Sequence, residues 1–70
     1  MSNSAYKVVE LIGTSQTSWE DAARNAIAAA SNSLKHLRVA EVKELDLALS
    51  EDGKIEAFRT KVTVSFKYEG

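Results

Sequence analysis

The 70-residue sequence has no cysteine and no proline, and only three glycines, at positions 13, 53 and 70. Without cysteine there is no disulfide framework and no thiolate zinc site. Histidine occurs once, which excludes a histidine-rich metal centre. Neither sign of charge dominates: nine basic and ten acidic residues leave a formal net charge of −1. Nucleic-acid binding usually demands a basic face, and an anionic membrane surface demands a polybasic segment, so both partners are set aside. No apolar run approaches the roughly 20 residues of a membrane span. The opening "MSNSAYK" lacks the basic start and apolar stretch of a secretory signal, so a cytoplasmic location is expected. There is no internal repeat and no low-complexity tract.

What remains is one small domain, residues 1–70. A chain of this length buries only roughly 60% of the surface its unfolded form exposes. Small domains compensate with disulfides, metals or association, and here association is the main route left, with carboxylates as the only metal donors in number.

"AYKVVELIG" is a strand pattern with apolar residues in both phases, Tyr6 and Val8 against Val9 and Leu11. It is therefore expected to be at least partly buried on both sides, with Gly13 ending it. The next stretch opens with polar cap residues. Ser18 with Asp21 approximates a capping box, and Thr17 is an alternative cap. Glu20 and Asp21 suit a first helical turn, Lys35 and His36 a last one. Trp19, Ala23, Ala26, Ile27, Ala30, Leu34 and Leu37 recur every three or four residues and predict a helix over roughly 18–37 with one apolar face.

"RVAEVKELDLALS" returns to a strand pattern. Val42 and Leu45 are an odd number apart, so a bulge near Lys43 or Glu44, or burial on opposite faces, is required. "EDG" at 51–53 is a turn signal. In the third strand Phe58, Thr60, Val62, Val64, Phe66 and Tyr68 share one face, and Arg59, Lys61, Thr63, Ser65 and Lys67 the other; Ile55 and Ala57 lie in the phase opposite to Phe58. The fold class is α+β in the order β-α-β-β. A hairpin joins the last two strands and a helix joins the first two. Placing the third strand in the middle gives an antiparallel sheet of order 1-3-2 that partly wraps the helix.

Lengths then matter. Fourteen strand residues span about 45 Å, against about 30 Å for twenty helical residues. One helix cannot cover such a hairpin, and the uncovered apolar residues imply an obligate oligomer.

"YKVVELIGTS", "SWEDAARNAIAAAS", "VAEV" and "TKVTVSFKYEG" together resemble the dodecin family over essentially the whole chain. The resemblance implies a hollow homododecameric shell that stores a small ligand at sites between subunits. It also implies flavin (riboflavin or FMN) as the usual cargo, stacked on a tryptophan that opens strand 2 and hydrogen-bonded by a glutamine on strand 3. Here those places fall to Val39 and Arg59, with Glu44 nearby as a third flavin-site equivalent. Valine has no aromatic plane, and arginine donates hydrogen bonds but accepts none. The chain thus resembles a branch in which flavin binding is weakened or lost, and which the resemblance links to calcium; a flavin-storing dodecin is the alternative.

The acidic residues of strand 2 and its turn (Glu41, Glu44, Asp46, Glu51 and Asp52) read first as solvated surface charge, and Glu41 and Asp46 are the candidate metal ligands among them. Calcium wants six to eight oxygens; one chain has no EF-hand loop, so symmetry copies would have to complete a site. Arg59 is expected either to pair with Glu41 or Glu44 or to contact an anion. Trp19 is expected to be a packing anchor rather than a replacement for the missing stacking residue. "GTS" at 13–15 is a cap before it is an anion cradle. No residue is assigned as catalytic, because a nucleophile with base and orienter cannot be built from one histidine and no G-x-S-x-G.

Overall fold

A computed structural model describes residues 4–68, with the side chain of Tyr68 outside the described set. The elements are β1 (Ala5–Ser15), α1 (Trp19–Ser33), β2 (Leu37–Leu49) and β3 (Ile55–Tyr68). The sheet is antiparallel with order β1-β3-β2, as the pattern predicts.

The core is thin and lies between α1 and β3. Ala22, Ala26 and Ala30 are buried on the helix, and Thr60, Val62 and Val64 on the central strand. Alanines at this spacing let the helix lie close to the sheet. Gly13 sets how close: a Cβ there would come within 1.9 Å of the Ala22 carbonyl oxygen. Glycine at this position serves a close approach, not a strand end, and β1 continues through Ser15. Thr60 is buried but satisfied, its hydroxyl donating to the Trp19 carbonyl at 2.8 Å.

Ser15 organises the start of α1. Its Oγ accepts from Thr17 N–H at 2.9 Å and donates to the Asp21 carboxylate at 2.7 Å. Ser18 is the N-cap, accepting from Asp21 N–H at 2.9 Å. The reciprocal half of a capping box is not made, because Asp21 turns to Ser15 instead. "GTS", expected to cap the helix, is instead the end of β1, and the cap falls three residues later at Ser18.

The helix stops at Ser33, four residues before the expected end. Ser31, Asn32 and Ser33 are weak helix formers whose side chains compete for the backbone; the Ser31 hydroxyl donates back to the Ala28 carbonyl. Leu34 caps the helix, and Lys35 and His36 lie beyond its last turn. His36 takes a left-handed φ of 63° and redirects the chain into β2. Leu37, expected on the helix, instead opens β2 and packs on the core from there.

The bulge is present. Val42 pairs with Val62 and Glu44 with Lys61, so Lys43 is the extra residue. It places Val42 and Leu45 on the same, helix-side face.

Candidate functional site

Register assigns the side chains of the face turned away from α1. Across β1, β3 and β2, the rungs are Val8–Ser65–Val39, Glu10–Thr63–Glu41, Ile12–Lys61–Glu44 and Thr14–Arg59–Asp46. Among the described residues no element covers this face. Val8 and Val39 are each more than 60% exposed, although the alternation in β1 had suggested partial burial on both sides.

At the Val39 end lies a shallow hollow of about 300 Å³, lined by Val8, Val39, Glu41, Lys43, Thr63 and Ser65. Methyl groups flank it on two sides. Hydroxyls form its floor, and the Ser65 Oγ donates to the Val39 carbonyl at 3.3 Å. Glu41 and Lys43 sit on the rim, 4.0 Å apart.

At the other end Arg59 is clamped by Asp46, Nε to Oδ1 at 2.7 Å and Nη2 to Oδ2 at 3.2 Å. The expected partners were Glu41 or Glu44. The one-residue bulge shifts the register of β2 beyond Lys43, so Asp46 stands opposite Arg59. The hydrogen bonds from Arg59 hold the Asp46 carboxyl below its usual range, and Asp46 in turn raises the Arg59 guanidinium. Between the two ends Lys61 lies 3.5 Å from Glu44 and 4.0 Å from Glu10.

All five candidate positions thus share one face, but only Asp46 and Arg59 meet. Val39 and Arg59 are separated by six β3 positions, roughly 20 Å at strand rise. Glu41 and Asp46 are also apart. Among the described residues no three acidic or histidine side chains converge to hold a metal ion. Lys61, Val8 and the hydroxyl floor were not singled out from sequence as site residues. Alternation put Thr63 and Ser65 on the outward face, but their neighbours depend on register.

Trp19, read as an anchor, is one. Its ring meets Phe58 edge-on, centroids 5.2 Å apart, and its Nε1 donates to the Asp46 carbonyl at 3.0 Å. His36 is exposed and lies off the open face's rungs.

A β-α-β-β unit with one bare sheet face that bears an ordered charge ladder is the class of small α+β protein the fold defines. Residues 5–69 match the dodecin family profile. The chain is 52% identical over 64 residues to the calcium dodecin of Mycobacterium tuberculosis, covering 91% of this chain and 89% of that protein. A crystal structure of that protein, described as a calcium-chelating immunodominant antigen with a novel calcium-binding site, superposes with a TM-score of 0.82 at 49% identity, over 93% of this chain and 91% of that one. The dodecin of Streptomyces coelicolor gives a TM-score of 0.90 at 31% identity, over 100% of this chain and 99% of that one. The chain belongs to the dodecin family.

Proposed function

We propose that the chain is a single-domain, non-enzymatic storage or buffering subunit that assembles into a homododecameric shell in the cytoplasm. Its ligand sits on the open sheet face where copies meet. Flavin binding is weakened or lost, and calcium is the favoured cargo. The observation that carries this reading is the state of the two flavin-recognition positions. Val39 has no ring to stack on, and the guanidinium of Arg59 is already engaged by Asp46. The residues present do not fit a flavin.

Calcium requires six to eight oxygen donors. One chain brings Glu41, Glu44 and Asp46 to the same face without convergence, so copies related by symmetry would supply the remainder. Glu41 is the freest of the three, its contact to Lys43 being long. The 52% identity to a calcium dodecin supports the same cargo.

The test is an absorption spectrum and native mass of the purified protein, followed by two titrations. The expected result is a colourless dodecamer that does not quench riboflavin fluorescence at sub-micromolar protein. Its melting temperature should rise with calcium and fall back with chelator. A yellow protein, or tight riboflavin quenching, overturns the reading in favour of flavin storage. A melting temperature indifferent to calcium removes the ion.

A further inference from the structure

The turn between β2 and β3 holds a reactive dipeptide. Of the three aspartates in the chain, at 21, 46 and 52, only Asp52 precedes a glycine; Ala22 and Leu47 follow the other two. An aspartyl carboxyl is open to attack by the amide nitrogen of the next residue, and a side chain on that residue obstructs the approach. Gly53 has none. Nothing lies within 4 Å of the position its Cβ would take, and Glu51, Asp52, Gly53 and Lys54 are all exposed.

The same turn restrains that attack, and its main restraints pass through Ser50. The Ser50 carbonyl accepts the N–H of Gly53, the attacking group, at 2.9 Å. The Ser50 hydroxyl donates to the Asp52 carboxylate and accepts the Lys54 N–H at 3.2 Å. The Ser50 N–H donates to the Lys54 carbonyl at 2.8 Å and closes the turn. Lys54 Nζ adds only a 3.9 Å contact to Asp52 between exposed groups, a weak hold in water. The Ser50 hydroxyl is the largest cause that keeps the Asp52 carboxyl below its usual range, ahead of the backbone N–H groups of Asp52 and Lys54. Ring closure proceeds from the neutral acid, so a carboxylate held ionised is a poor electrophile.

We infer that Asp52–Gly53 is a site of spontaneous backbone isomerisation whose rate Ser50 sets. The Gly53 nitrogen bonds to Asp52 Cγ, the Cγ–OH bond breaks, and the hydroxyl leaves with the amide proton as one water. The resulting succinimide takes up one water at either carbonyl. Opening one way restores aspartate; opening the other way gives isoaspartate, in which the main chain runs through Cβ. No oxidant, metal or second substrate enters. The product lengthens the turn by one backbone atom between Leu49 and Ile55, which pair at the end of the β2–β3 ladder, and turn length sets hairpin register.

The test incubates the native protein, the chain unfolded in guanidinium chloride, and the Ser50→Ala and Ser50→Thr variants at neutral pH and physiological temperature. Peptide mapping reads the isomer: it has the mass of the parent peptide, elutes apart from it, and resists a protease that cuts before aspartate. The expected result is isoaspartate at Asp52 and not at Asp21 or Asp46, forming more slowly in the native protein than in the unfolded chain. Ser50→Ala should form it roughly tenfold faster than the native protein, about the effect of one hydrogen bond to a charged group. Ser50→Thr keeps the hydroxyl and should stay close to the native rate. Hydrogen exchange at amides 50 and 53 shows whether the turn remains closed in Ser50→Ala, as expected. A faster rate with both amides unprotected reports a frayed turn and overturns the role of the hydroxyl. Equal rates in the native and unfolded chains, or a Ser50→Ala rate equal to the native one, overturn the control by Ser50. No isoaspartate at Asp52 in either state overturns the site itself.

Discussion

Gly13 is the residue on which helix-to-sheet distance turns. Any side chain would collide with the Ala22 carbonyl and the backbone nitrogen of Ala26, and neither backbone atom can yield without moving α1. Gly13→Ala is expected to destabilise the fold by about 3 kcal/mol, at the upper end for overpacking, measured by urea denaturation. His36 is the opposite case. Its left-handed backbone costs roughly 1–2 kcal/mol in an ordinary residue, and its side chain is exposed. His36→Gly should hold or slightly raise the melting temperature, and His36→Val should lower it. The Asp46–Arg59 pair makes a pH prediction. The folded carboxyl titrates below its unfolded value, so the pair's contribution is fully present above the ordinary carboxylate pKa. It is lost as pH falls through the lowered, folded value. Melting curves of the native protein and Asp46→Asn should differ at neutral pH and converge in acid.

At the scale of elements the bulge at Lys43 does the most. It keeps Val42 and Leu45 on the helix-side face and delivers Asp46 to Arg59. Deleting Lys43 would restore regular alternation and turn every β2 side chain beyond it to the other face. Leu45 and Leu47 would then point to the open face and Asp46 to the helix side. The deletion is expected to abolish cooperative unfolding or assembly, read by circular dichroism and native mass. The helix start predicts a milder effect. Ser18→Ala removes the cap on Asp21 N–H and should cost about 1 kcal/mol, measurable as a lower urea midpoint with the fold kept.

At the scale of the whole molecule the chain is long for its size. It measures 56 × 20 × 16 Å with a radius of gyration of 14.6 Å, where a compact domain of this length has about 11 Å. A ribbon of this shape leaves both sheet faces partly bare. In the proposed assembly other copies cover those faces, so the melting temperature should rise with protein concentration. A melting temperature constant over a hundredfold dilution, with a solitary particle throughout, would contradict this.

Element order, sheet order and the inward face of β3 were legible in the sequence, which also narrowed the helix cap to Ser18 or Thr17 and offered the bulge as one of two readings of the phase switch in β2. Each rests on local periodicity or on a side chain bonding to its own neighbourhood. The end of the helix was misplaced because Leu34 and Leu37 continue the apolar spacing after the chain has left the helix. Leu37 is apolar for the core it reaches from β2, and periodicity cannot distinguish those two routes to the same core. The partner of Arg59 and the hollow between Val8 and Val39 were decided by tertiary structure alone. They join residues on different strands, and one inserted residue, Lys43, chooses which of them face one another.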